Sequence, residues 1–498
     1  MILRSLFLFE VHRLLRSPLW WGAAVLCLGL RLLATWPWLP DMSVDPASTS
    51  GAMLLLAVAV MTTANLATSR DTRHGMPRTL DALPGRAAER TKAATLAAVA
   101  VSTGIALPVM LCYLLARLAM GPVAGAFDPF EAVGGVLAVP FAAALGALLG
   151  RWTPSLVAVP AAAFLIGALT WLNSQQGGYG SWFLPVVLFH GPDWPQRPSV
   201  LHAVYLLAAI ALFAALALLR HGAGPVRVIA VLTAAAVTVP AGAAATAAAP
   251  GPEINRRSVT TRADPAAMPG ALDAGVRRRY FGPDARRCET HHAVTYCAFR
   301  DYAAWIPSWV SAVNPVIQAL PPAERRRPPV VRQTTDTWFG AEGDEGRSIR
   351  TFMVWGRAGA EDSHRAVLAS QVIRSVLGLR PPGTGCDVRG QARALVALWL
   401  LGHVVPPAPP EDREIRVGSS VFMPEQSRLG MIRYGTAELG YARELLAMPD
   451  ARRRVWTHWD TLIKPGTTVG QALPLLGLRP RSEQGKRLAE PAKGRPCS

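Results

Sequence analysis

Between positions 288 and 297 the chain reads Cys-Glu-Thr-His-His-Ala-Val-Thr-Tyr-Cys, two thiols and two imidazoles within one short segment. Such a segment supports three kinds of chemistry. Cys288 and Cys297 can close as a disulfide, the four side chains Cys288, His291, His292 and Cys297 can ligate a metal, or the thiols stay free. The spacing fits no standard zinc pattern, so the first reading is a Cys288–Cys297 disulfide. A cross-link over so short a loop contributes about 2–3 kcal/mol in the chain-entropy model. It persists only in an oxidising compartment. Cys27 and Cys112 lie in apolar stretches and read as small core residues. The sequence leaves the state of Cys386 and Cys497 open.

No hydrolytic or nucleotide-binding arrangement is visible. His-Glu-x-x-His and Gly-x-Ser-x-Gly are both absent, and His364, His403 and His458 stand alone in helical patterns. Phosphate cradling needs a glycine-rich loop ending in Lys and Ser or Thr, whereas Gly485-Lys486 runs into Arg487 without the upstream glycine. The expectation is a non-enzymatic chain without a cofactor. Any ATP hydrolysis that drives it belongs to a separate polypeptide.

The elements that position these residues are dominated by apolar sequence. Of 498 residues 51% are hydrophobic and 17% charged, against about 25% charged in a soluble domain. The net charge of +18 comes almost entirely from Arg, with Lys only at 92, 464, 486 and 493. That skew fits a high-GC bacterial genome better than a nucleic-acid partner, and none is expected. Uninterrupted apolarity of roughly 18–25 residues, enough to cross a bilayer, occurs at Leu19–Trp38, Ala52–Thr68, Ala93–Ala116, Ala132–Gly150, Pro154–Leu172, Val200–Leu219 and Val228–Ala249. The last, Ala- and Thr-rich and interrupted by Pro240, decides where the C-terminal half lies.

Cytoplasmic loops carry an excess of Lys and Arg. One set of connecting segments holds Arg4, Arg13, Arg16, Arg70, Arg73, Arg78, Arg86, Arg90, Lys92, Arg151, Arg220 and Arg227. The opposite set holds Asp41, Asp45, Asp128, Glu131 and Asp193, with Arg117 and Arg197 as its main bases. The N-terminus is therefore expected in the cytoplasm of a bacterial cell and, with seven spans, the residues after Pro250 outside it. Leu3, Phe7, Val11 and Leu14 recur at helical spacing among basic residues. They suit either a helix in the cytoplasmic interface or an extension of the first span. Arg31, inside the first span, is expected to snorkel toward the outer interface near Trp36.

Ser69-Arg70-Asp71-Thr72-Arg73-His74-Gly75-Met76-Pro77-Arg78-Thr79-Leu80-Asp81-Ala82-Leu83-Pro84 links the second and third stretches. With the basic N-terminal helix, three further spans and a long outer loop containing Trp182-Phe183-Leu184-Pro185-Val186-Val187, this resembles the permease subunit of a type-2 ABC exporter. The resemblance covers residues 1–222. It implies a lipid-embedded dimer of permeases, homo- or heteromeric, served by a separate ABC ATPase subunit. It implies ATPase contact at Arg78, Asp81, Leu83 and Pro84, and more loosely at Glu10, Arg13 and Arg16. The seventh stretch and some 250 further residues depart from the family's simplest pattern.

The expected fold class is a membrane α-helical bundle, a six-span exporter-like core plus a seventh span, followed by an α-rich mixed α/β extracytoplasmic domain. The divisions are a cytoplasmic amphipathic helix (1–17), the six-span core (18–222), the seventh span (223–250), a linker (251–275), the outer domain (276–478) and a basic disordered tail (479–498). Within the outer domain Val330–Thr334 and Ser348–Trp355 read as strands, Ala394–Val405 as a buried helix too short to span, and Asp450 as a helix cap. The cargo expectation is an amphipathic or lipid-like molecule, since the spans show no distinctive polar pathway. The competing reading is a membrane-anchored binding or sensor module without transport.

Overall fold

The computed structural model describes residues 2–36, 38–73, 87–153, 155, 157–175, 182–188, 197–248, 285–326, 328–334, 348–352, 361–379, 386–406, 415–417, 420–422, 429, 432–480 and 497. The chain divides into two compact units, Met1–Arg277 and Arg278–Ser498.

Among the described residues the regular elements of the first unit are all helices, apart from one isolated bridge between Asp41 and Ala124. Helices α1 (Ile2–Leu15), α2 (Pro18–Thr35), α3 (Asp45–Arg73), α4 (Ala87–Ala119), α5 (Pro129–Trp152), α6 (Ala158–Gln175), α7 (Ser199–Leu219) and α8 (Pro225–Ala248) follow in order. Among the described residues six helices, α2–α5, α7 and α8, are long and apolar enough to cross a membrane. The count of seven from sequence is thus not met by length: the fifth apolar stretch forms the shorter α6. It starts at Ala158 rather than Pro154, and Pro160 falls in its first turn, where proline is tolerated. Pro240 does not interrupt α8, just as Pro108 and Pro140 sit inside α4 and α5. A bundle can re-satisfy the backbone groups a proline frees.

Helix α5 is the most enclosed of these spans, and glycine lets α3 approach it. A Cβ at Gly146 would lie 2.3 Å from the Met61 carbonyl oxygen, and one at Gly150 2.2 Å from Thr68 Oγ1. Small residues at helix contacts are the usual way to bring backbones together where lipid replaces water. The contacts also set direction. The starts of α3 and α5 meet at Ser50 and Gly135, and their ends at Thr68 and Gly150, so the two run parallel. Likewise Ser199, at the start of α7, bonds Asp128 at the start of α5, while the Trp152 indole at the end of α5 donates to the Leu216 carbonyl.

Helix α1 is separate from α2, not an extension of it: a turn at Arg16 and an extended Ser17 divide them. Phe7, Val11 and Leu14 join the core while Ile2, Leu8, Phe9 and Leu15 stay exposed.

The second unit is mixed. A sheet of order β1-β2-β3-β4 comprises β1 (Arg286–His291), β2 (Val294–Phe299), β3 (Val330–Thr334) and β4 (Ser348–Phe352). The first pair is antiparallel and the other two parallel. Between β2 and β3 run a 3₁₀ turn (Arg300–Trp305), α9 (Ile306–Ala319) and α10 (Pro322–Arg325). Then come α11 (Glu361–Leu377), β5 (Cys386–Asp387), α12 (Ala392–Leu401), β6 (Ile415–Val417), β7 (Ser420–Phe422), β8 (Ile432–Arg433), α13 (Thr436–Ala447), α14 (Ala451–Thr457), α15 (Trp459–Leu462) and α16 (Val469–Leu476). Every residue of α12 is buried, as a twelve-residue apolar run too short to span should be. Trp305, Trp309 and Val313 lie in the core. Asp450 does occupy the N-cap of α14, yet its side chain makes no capping bond. The carboxylate turns to Arg454, 2.7 Å away, because a charged donor one helical turn on outbids a backbone amide.

Candidate functional site

Because α5 and α7 run parallel, two ends of the first unit can be distinguished by what gathers there. One end collects the C-termini of α2 and α4 and the N-termini of α3, α5 and α7. There Asp45, opening α3, accepts from Arg117 Nε at 2.8 Å and from the Tyr113 hydroxyl at 3.2 Å. Arg117 is wholly buried, and its remaining donors reach the carbonyls of Thr35, Trp38 and Leu39 at 2.9–3.0 Å. A buried guanidinium is tolerated only when nearly every donor is occupied. Arg31 joins this cluster. Its guanidinium lies 3.9 Å from Asp45 and near the rings of Trp38 and Tyr113.

A second cluster closes the same end. Arg197 pairs with Glu131 at 2.5 Å and lies over the Trp182 ring. Asp128 caps α5 by accepting from the Phe130 amide, and also accepts from Ser199. The segment 182–188 is clamped by its backbone. The His202 ring bonds the Leu184 carbonyl at 2.9 Å, Tyr205 donates to the Phe183 carbonyl, and the Trp182 amide donates to Thr246 Oγ1 at 3.0 Å. Thr246 lies near the end of α8, so that helix finishes at this end too. Ser50, Glu131, Arg197, His202 and Val187 surround a cavity of about 10 Å³, room for roughly one water.

The opposite end is basic. Glu10 of α1, only 6% exposed, binds Arg13 at 2.7 Å and Arg70 at 2.9 Å. Asp71 takes Arg90 at 3.5 Å and Arg151 at 3.8 Å. These two carboxylates tie α1, α3, α4 and α5 together around the stems of the segment 74–86. His221, in the turn between α7 and α8, shares a 2.8 Å hydrogen bond with Thr91. Its burial, with Arg151, Arg227, Arg220 and Arg90 close by, lowers its pKa to about 4.

Of the residues that the family resemblance implicates, Glu10, Arg13 and Arg16 sit at this basic end, in or just after α1. Arg78, Asp81, Leu83 and Pro84 lie outside the described residues. In the second unit Cys288 and Cys297 are directly opposed in the β1–β2 hairpin, Cα atoms 4.0 Å apart, and are bonded. His292 and Ala293, at positive φ, make its tight turn. Both sulfurs are consumed, which removes the metal and free-thiol readings of this pair. A second disulfide, Cys386–Cys497, was not legible beforehand. Beside it Arg393, 1% exposed, donates to the Cys497 carbonyl and to Gln391. Four cysteines in the second half and two in apolar helices were the available signal. No family model, characterised protein or solved structure matches this chain.

Proposed function

We propose that this chain is the permease subunit of an ATP-driven exporter that works with a separate ATPase, its basic end in the cytoplasm and its second unit outside. The observation that carries the reading is the pair of carboxylates at the basic end. Glu10 and Asp71 join the N-terminal helix, α4 and α5 to the stems of the segment 74–86. A soluble motor gripping that segment would thereby move four helices of the bundle, α1, α3, α4 and α5, together. The segment's own sequence, Leu80-Asp81-Ala82-Leu83-Pro84 between Arg78 and Arg86, is the part that the family resemblance assigns to contact with such a partner.

The proposed orientation is supported by the rule that arginine is retained on the cytoplasmic side, with Arg13, Arg16, Arg70, Arg90, Arg151, Arg220 and Arg227 at one end. The parallel run of α5 and α7 supports counting α6 as a crossing, because the chain between them must return from the basic end. On this reading the chain crosses seven times and continues outside after Ala248, and the two disulfides are compatible with that side. Two copies, or one copy with a related permease, would complete the transporter.

The test is a pull-down of the purified chain with a candidate ATPase encoded beside it, with ATPase rate measured in lipid. Replacing Arg78→Glu together with Asp81→Arg is expected to abolish association and stimulation while membrane insertion stays normal. Wild-type association by that variant would remove the coupling role from the segment. Orientation is checked separately, by labelling single cysteines placed at 251–275 with an impermeant maleimide on intact cells.

A further inference from the structure

Two stretches of the second unit, far apart in sequence, meet at one indole. Trp456 of α14 donates from Nε1 to the Ala319 carbonyl at 2.8 Å, joining α14 to the end of α9. Arg325 lies 5.0 Å and Arg452 5.9 Å from the centroid of the same ring. Arg325 is fixed further by donating to the Leu320 and Gln318 carbonyls at 2.7 and 2.8 Å. Arg326 and Arg452 are exposed, and neither has a carboxylate partner among the described residues. Arg453 is 80% exposed at its side chain. The carboxylates on these two stretches are Glu324 and Asp450, and Asp450 is spent on Arg454 at 2.7 Å and Arg453 at 3.5 Å. The result is a patch with a clear excess of positive charge, in which Arg325 and Arg452 are held against the Trp456 ring and Arg325 also by backbone carbonyls.

We propose that this patch docks the second unit onto the anionic headgroups of the bilayer to which the chain tethers it. Three arguments favour lipid as the occupant. Arginine beside a half-buried tryptophan is the composition suited to the headgroup layer, where the indole and the alkyl stem meet apolar atoms and the guanidinium meets phosphate. Each basic residue near an anionic surface multiplies occupancy roughly fivefold, so Arg326, Arg452 and Arg453 together give binding that one could not. The unit is also chained through residues 249–284 to the end of α8, which keeps the surface at high effective concentration. The guanidiniums stacked on Trp456 lose little freedom on binding, which lowers the cost of association.

The proposal rests on the first unit being membrane-embedded, not on which side the second unit occupies. Nanodiscs expose both faces, so the test is independent of orientation. The full chain is placed in nanodiscs of phosphatidylcholine alone or with about one third phosphatidylglycerol, and hydrogen exchange is followed in the peptides covering 318–326 and 450–457. The expected result is at least fivefold slower exchange of both peptides in anionic nanodiscs, lost in 0.5 M salt and in Arg326→Gln/Arg452→Gln/Arg453→Gln. Retention of the wild-type melting profile and both disulfides shows that the variant is folded. Equal exchange in the two lipids overturns the proposal. So does protection that survives high salt, or protection that appears only when a soluble polyanion such as polyphosphate is added. Failure of the chain to enter nanodiscs at all would instead count against the membrane reading itself.

Discussion

The two units invert each other's polarity. In the first, large apolar side chains such as Leu33, Leu115, Phe164 and Val226 face outward, while Asp45, Arg117, Glu131 and Glu10 are buried. In the second, Trp305, Trp309, Trp399 and all of α12 are inside, and arginines such as Arg453 stand in solvent. Each arrangement is what its surroundings favour. Lipid gives apolar side chains no reason to turn inward, so the bundle is organised by close backbone approach and by pairing of its charges. Water drives apolar burial directly, and the second unit adds covalent cross-links.

If that contrast is right, removing a charge should damage the first unit most. Asp45→Ala strands the buried Arg117, and a loss of about 3–5 kcal/mol is expected, read from denaturant or thermal unfolding in detergent. A near-neutral result would mean that carbonyls alone satisfy Arg117. Apolar truncation should show the opposite sensitivity. Leu395→Ala, in the core of the second unit, should cost about 2–5 kcal/mol, whereas Leu115→Ala, 64% exposed on the bundle, should change stability by less than about 0.5 kcal/mol. Equal effects would break the comparison.

Covalent restraint comes next. Cys497→Ser is expected to lower the stability of the second unit by about 2–4 kcal/mol and to leave the bundle's own transition unmoved. Calorimetry resolving the two transitions checks both halves of that statement. The smallest effect concerns His221. Its pKa is pulled from 6.5 to about 4, so the unfolded chain binds the extra proton first. The stabilisation is complete above pH 6.5 and drains away as the pH falls toward 4. His221→Asn should flatten the pH dependence of bundle melting across that window, and an unchanged slope would show that solvent screens the site.

How much of this the sequence disclosed follows the same division. The positions of the six long apolar helices were legible because they depend on local apolarity alone. So were β3 at Val330–Thr334, the start of β4 at Ser348 and the buried α12, each carried by a local pattern. The Cys288–Cys297 bond was legible since both partners share one hairpin. What remained hidden were pairings between distant residues. Nothing in the neighbourhood of Arg117 names Asp45 as its partner, 72 positions away, and the approach of Arg31 to the same carboxylate was hidden for the same reason. The cap expected of Asp450 failed because Arg454, in plain view, competed for it. The length of the fifth apolar helix depended on where backbone geometry began, which hydropathy does not report.

The second cross-link has a consequence for timing. Cys386 and Cys497 are separated by 111 residues, Cys288 and Cys297 by 9. At synthesis rates of about 5–20 residues per second, the hairpin's second thiol emerges within roughly 2 s of its first, and Cys386 roughly 4–18 s after that. The hairpin therefore has an interval in which its thiols have no rival partner from the second unit. Cys386 then waits longer still for Cys497. The order of appearance along the chain thus favours the short-range pair before Cys386 can compete for it.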